Sequence, residues 1–145
     1  VTVSRWYENS AVVERGPLVY ALKMNEKWEK KAFESDKSDV YGKWYYEVTS
    51  DSPWNYALPA SPDRIKDAFT VEKSDITTPY PWNVENAPIR IKTKAMRLNG
   101  WTQVRGSAGP VPYYTQQCKD FGDEETIELI PYGCTTLRIT EFPVR

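Results

Sequence analysis

Twenty carboxylates, two cysteines and twenty aromatic side chains are what this 145-residue chain offers for chemistry, and it has no histidine. That zero removes Ser/His and Cys/His nucleophiles and every histidine-ligated metal. Cys118 and Cys134 can form at most one bridge and cannot complete a four-cysteine zinc site. Two lone cysteines sit readily as small buried apolar groups, and the sequence leaves bridge or thiol open. Carboxylate pairs about 5–9.5 Å apart hydrolyse glycosides. With twenty acids such pairs arise by chance, so each needs a reason beyond proximity. Asp123-Glu124-Glu125, beside Gly122, reads as a solvated turn before a strand. Glu47 and Glu141 lie in or beside strands that could aim them at one site, but nothing in their spacing names a partner, and we read both as structural. Gly106-Ser107-Ala108-Gly109-Pro110 lacks the lysine and following helix of a phosphate cradle and reads as a loop. This chain by itself is therefore read as non-catalytic, with no cofactor and no metal of its own.

The aromatics are the stronger lead. Trp54, Tyr80, Trp82, Trp101, Tyr113 and Tyr114 all fall in or near segments rich in proline or glycine. Sugar rings stack their C–H faces on exposed aromatic rings, and loops on a rigid scaffold carry binding residues. The same rings could instead plug the ends of a sandwich or face a neighbouring domain, each burying about 150–250 Å². These six are the candidates for a carbohydrate-binding or domain-interface site. Lys+Arg number 19 and Asp+Glu 20, for a net charge of −1. A balanced chain has no electrostatic footprint for nucleic acid or an anionic membrane, and no apolar run of about 18 residues is present. The partner is read as an uncharged molecule or another protein surface. A chain of 14% aromatic residues is also one that folds.

The elements that must hold these side chains are strands. Eleven prolines punctuate the chain and leave a single long gap, from Leu18 to Ser52. Pro17-Leu18-Val19-Tyr20-Ala21-Leu22 is an apolar run led by Gly16, a strand buried on both faces. Ile89 to Ala95 alternates, with Arg90, Lys92 and Lys94 facing water. Thr126–Ile130 and Thr135–Phe142 flank Pro131-Tyr132-Gly133-Cys134, which reads as a hairpin turn with Gly133 at positive φ. Lys43 to Val48 is aromatic and strand-prone. Met24, Trp28 and Ala32 recur every four residues, so that segment reads equally as a helix or as an exposed strand. Ser61-Pro62-Asp63 followed by Ile65, Ala68 and Phe69 predicts a short helix. The proline-rich stretch from Ser50 to Pro88 is read as an ordered excursion covering one sheet. The fold class is all-β, an antiparallel and jelly-roll-like β-sandwich with one or two short helical turns at most, in a single domain over residues 1–145.

Arg15-Gly16-Pro17-Leu18-Val19-Tyr20-Ala21-Leu22, Ser52-Pro53-Trp54-Asn55-Tyr56, Ala87-Pro88-Ile89 and the stretch from Leu129 to Pro143 occur in order along nearly the whole chain. Together they resemble the non-catalytic β-sandwich part of bacterial β-L-arabinofuranosidase-like glycoside hydrolases, family 127 and its relatives. The first and last stretches are the specific ones. The resemblance implies a C-terminal fragment of a larger multidomain enzyme, in which an (α/α)6 barrel carries the catalytic glutamate and a zinc held by cysteines. None of those residues maps onto this chain, which has no Cys-X-Cys spacing. It implies an accessory role, packing on and stabilising the barrel; the alternative is a carbohydrate-binding module. The implied partners are that catalytic domain and plant-type arabinose-containing glycans, in a periplasmic or extracellular setting.

Overall fold

Glycine and proline set the first tight reversal of the chain. Gly16 takes φ +59° and Pro17 has the fixed negative φ of its ring, the sign pattern of a type II′ turn. This joins β2 (Ala11–Arg15) to β3 (Leu18–Leu22) with Arg15 opposite Leu18. The computed structural model describes residues 1–34, 37–59, 67–113 and 119–145. All described strand ladders are antiparallel, in a main sheet and two small two-stranded sheets. The chain is all-β and sandwich-like, with one four-residue α-helix, α1 (Ser38–Tyr41), among the described residues.

The main sheet begins with β1 (Thr2–Arg5) on one edge of β2. Next along the chain come β4 (Lys27–Ala32) and β5 (Trp44–Thr49), which form a sheet of their own, and then β6 (Tyr56–Ala57), β7 (Thr70–Lys73) and β8 (Ile89–Leu98) of the main sheet. After a small hairpin of β9 (Gln103–Val104) and β10 (Ser107–Ala108) come β11 (Phe121–Pro131) and β12 (Glu141–Phe142). β11 lies between β3 and β8. The outer edge of β8 is shared by β6 and β7, which is what the proline-rich excursion contributes. β12 pairs with β2 at Ala11 and Val12, where β3 has already turned away. The chain after β12 then bridges Val144 to Leu58, just past β6. The two margins of the curled sheet thus meet, and few edges remain open.

The main apolar cluster includes Val13, Tyr20, Leu22, Tyr56, Leu58, Ile91, Ile127, Leu129 and Phe142, and two smaller ones form around Leu98 with Trp101 and around Ile130 with Cys134. On β8 the buried residues Ile91, Thr93 and Ala95 alternate with Arg90, Lys92 and Lys94, as the sequence pattern predicts. Outside, Lys92 pairs with Glu72 at 2.8 Å and Lys23 with Glu128 at 2.7 Å, so the solvated face carries matched charges across neighbouring strands.

Three expectations are corrected. Thr135–Phe142 does not form a hairpin with β11, because both edges of β11 are taken. Instead Pro131-Tyr132-Gly133-Cys134 passes through a 3-10 turn (Tyr132–Cys134), Leu22 donates its N–H to the Ile139 carbonyl, and only Glu141–Phe142 is strand, on β2. Gly133 is accordingly not among the glycines at positive φ. Asp123-Glu124-Glu125 is solvated but is strand, beside a register shift between Phe121 and Glu124. The segment around Trp28 is a strand, β4. The predicted helix at Ser61–Ile65 lies outside the described residues; Phe69, at its far end, packs against the main core.

Candidate functional site

The β4–β5 ribbon stands apart from the main sheet as a separate two-stranded sheet. Its register places Trp28 opposite Val48, Lys30 opposite Tyr46 and Ala32 opposite Trp44. Alternate residues share a face, so Trp28, Lys30, Trp44, Tyr46 and Val48 form one side. On it Trp28 meets Tyr46 edge-on with centroids 5.8 Å apart, and the Lys30 ammonium sits 4.8 Å from the Trp44 ring centre. Trp28, Trp44 and Tyr46 remain 55%, 55% and 57% exposed. The opposite face is charged, with Lys31 bridging Glu29 and Glu47, and it carries Tyr45 against Phe33.

What holds the ribbon is its base. The Asn25 carboxamide oxygen accepts from the Ser50 and Ser52 hydroxyls at 2.6 and 2.9 Å and from the Asp51 and Ser52 N–H groups. Asn25 also donates to Asp51, which pairs with Lys27. Those contacts hold Asp51 below the usual carboxylate range, Lys27 contributing most and Asn25 next. One residue on, Glu26 grips the main body. Its Oε1 accepts from the Thr135 hydroxyl at 2.8 Å and from the Thr136 and Leu137 N–H groups at 2.5 and 3.1 Å. Its Oε2 accepts from the Trp28 indole at 3.2 Å. Partial burial pushes the Glu26 pKa up, but the donors outweigh it, Thr136 first, then Thr135, Leu137 and Trp28, and the net shift is downward. Glu26 is therefore a fixed anion that clamps a loop and orients Trp28. It is not a proton donor at neutral pH.

Beside this clamp the ribbon, the loop at residues 80–85 and the loop at residues 133–138 enclose a cleft of about 370 Å³. Its walls include Glu26, Trp28, Tyr80, Trp82, Glu85 and Arg138. Tyr80 and Trp82 are 67% and 40% exposed. The loop that presents them is cross-braced. Asn83 donates to the Tyr80 carbonyl at 3.1 Å and its own carboxamide oxygen accepts the Asn86 N–H at 2.8 Å, so one side chain ties both ends of the loop. Arg90 donates to the Glu85 carbonyl at 2.6 Å, and Pro81 and Ala87 are buried beneath. Arg138 lies over the Tyr132 ring at 4.2 Å.

Of the six aromatic candidates, the structure brings Tyr80 and Trp82 together in this cleft. Trp101 is 4% exposed, its indole donating to the Gly109 carbonyl at 2.9 Å, and Trp54 is half-buried edge-on against it at 4.9 Å. Neither of those rings offers a platform to solvent; they fill the end of the sandwich. Gly109 approaches Thr102 so closely that a Cβ there would stand 2.5 Å from the Thr102 carbonyl oxygen, which fixes this packing. Tyr113 is half-buried, and Tyr114 lies outside the described residues. Sequence reasoning missed Trp28, Trp44 and Tyr46. The period-two pattern Trp28-x-Lys30-x-Ala32 opposite Trp44-x-Tyr46-x-Val48 was the signal for them.

Glu47 is taken by Lys31 and Glu141 accepts from the Ser10 hydroxyl at 3.0 Å. Among the described residues no group of three His, Cys, Asp or Glu side chains could hold a metal. Cys134 is a buried free thiol, and burial raises its pKa; Cys118 lies outside the described residues. No described helix is long and apolar enough to cross a membrane. Compared with models of known protein families, with curated proteins and with solved structures, the chain matches none.

Proposed function

We propose that this chain is an accessory, non-catalytic β-sandwich of a glycoside hydrolase of the β-L-arabinofuranosidase-like kind. In this reading it packs on and stabilises an (α/α)6 catalytic barrel of the same polypeptide, which holds the reactive glutamate and the zinc. The observation that carries the reading is the aromatic face of the β4–β5 ribbon. Two-stranded ribbons are marginal on their own in water, and Trp, Tyr and Trp in one exposed row are costly there unless something covers them. Each such ring presents about 150–250 Å². Covering the exposed halves of Trp28, Trp44 and Tyr46 would remove on the order of 300 Å² from water, the size at which a patch on a protein tends to be functional.

The motif residues behind the family resemblance support the reading from another side, since in this fold they are construction elements. Gly16-Pro17 makes the β2–β3 turn. Asn55 is buried and its amide donates to the Leu98 and Trp101 carbonyls at 2.9 and 3.2 Å, pinning β6 to the end of β8. A module whose recurring residues specify the fold, and whose exposed aromatics lie on an appended ribbon, suits a scaffold that docks.

The test is association. The chain and a catalytic barrel produced separately should form a one-to-one complex by sedimentation, weakened about tenfold or more by Trp44→Ala with Tyr46→Ala. Absence of any complex, together with a parent enzyme that keeps its stability and activity when residues 1–145 are deleted, would overturn the proposal.

A further inference from the structure

We infer that the cleft between the ribbon and the loops at residues 80–85 and 133–138 binds a neutral oligosaccharide, with Trp82 and Tyr80 as the stacking rings and Trp28 as the opposing wall. This goes beyond the docking reading: the two share Trp28, but the stacking rings Tyr80 and Trp82 take no part in the docking face and Trp44 and Tyr46 take no part in the cleft, so either can fail alone.

Three features of the cleft point to that chemistry. The rings come from segments far apart in sequence, yet they line one space of about 370 Å³, within the range of small-molecule sites. They stay 40–67% exposed, so their faces are open to an incoming sugar ring. The Trp28 indole and the backbone that carries Tyr80 and Trp82 are also fixed in advance. Glu26 holds the Trp28 indole N–H at 3.2 Å, and Asn83 braces the turn that displays Tyr80 and Trp82. Preorganised rings lose little freedom on binding, which is where weak sugar affinities are won or lost. Finally, the polar groups are mixed in sign. Glu85 and Arg138 stand at the same cleft, supplying acceptors and donors for ring hydroxyls. Two carboxylates disfavour an anionic ligand such as a phosphate or uronate. A quaternary ammonium also uses aromatic rings and acids. However, a cage for it closes on a single small head group, whereas this cleft is wide and has a guanidinium in its wall.

The experiment is calorimetric titration of the 145-residue chain with arabino-, xylo- and gluco-oligosaccharides and, as the counter-probe, choline chloride. At least one neutral series should bind with a Kd between about 1 µM and 1 mM. Trp82→Ala should weaken it about tenfold or more, Trp82→Phe should retain most of it, and Trp44→Ala should change it less than twofold. Near-ultraviolet dichroism of each variant separates lost binding from lost fold, and Trp82→Phe keeps the test open if Trp82→Ala misfolds. No binding by any neutral series, binding of choline instead, or oligosaccharide binding unchanged in folded Trp82→Ala would each overturn the inference.

Discussion

The curled main sheet and the β4–β5 ribbon are made of the same kind of strand but are held by opposite means. In the main sheet, alternate side chains of β2, β3, β8 and β11 converge on a common interior, and Tyr20, Ile91, Leu129 and Phe142 are fully buried. The ribbon has no fully buried residue, and Trp28, Trp44 and Tyr46 are more than half exposed. Its attachment is polar and sits at one end, where Asn25 ties its two strands together and Glu26 clamps it to residues 135–137. The difference teaches that apolar burial sets the stability of this chain, while the aromatic content of the ribbon is spent on an outside surface. A sequence rich in aromatics can therefore owe only part of them to its core.

That contrast can be broken at its strong end first. Phe142→Ala removes a fully buried ring at the join of β12 and β2 and should cost about 3–5 kcal/mol in urea unfolding, with the whole transition shifted. The clamp comes next. Glu26→Ala removes the acceptor of the Thr135 hydroxyl and of the Thr136 and Leu137 N–H groups, which water can partly replace, and should cost about 0.5–1.5 kcal/mol. Amide exchange should accelerate at residues 27–32 and 135–137 before it does so in β8 or β11. Acid should act on the same joint more gently. The Glu26 and Asp51 pKa values are lowered by folding, so the unfolded chain binds more protons as pH falls, and stability drops with it. The stabilisation is complete above the ordinary carboxylate value of about 4.3 and is lost as pH falls from there through the lower folded values. Protection factors at the ribbon base, with the intrinsic pH dependence of amide exchange divided out, should therefore fall below about pH 4, and Glu26→Gln should flatten that dependence. The smallest effect is expected at Trp44→Ala, within about 0.5 kcal/mol in the isolated chain, since its ring is more than half exposed and its contact with the Lys30 ammonium lies at the surface. A large loss there would mean that the ribbon is part of the core after all.

How much of this was legible in the sequence follows from which signals are local. The apolar run of β3 and the alternation of β8 are local and were readable, whereas Pro17 read as the first residue of the strand and is in fact the second residue of the turn. The all-β class followed from them. The false hairpin after Ile130 was not avoidable on local grounds, because Pro131-Tyr132-Gly133-Cys134 has turn chemistry. Only the topology shows that β3 and β8 already occupy both edges of β11. Trp28 and Ala32 four residues apart hid a two-residue period, which became visible only with Trp44–Thr49 as partner strand. Trp54 and Trp101 sat in loop-like sequence yet are packed on one another, since loops that cap a sandwich bury their rings. Tyr80 and Trp82, named from sequence along with four other rings, lie in one cleft, whereas the hydrogen-bonding roles of Asn25, Glu26 and Asn83 carry no sequence signature. Those roles depend on distant backbone donors at residues 135–137 and on the shape of single turns.

The proposal that the ribbon is a docking surface is tested most directly by hydroxyl-radical footprinting, read residue by residue by mass spectrometry. The comparison is between the 145-residue chain alone and the same chain within a polypeptide that carries the catalytic barrel. The account predicts that Trp44 and Tyr46 are oxidised readily in the isolated chain and are protected several-fold in the larger polypeptide. Equal oxidation of both residues in the two settings would contradict it.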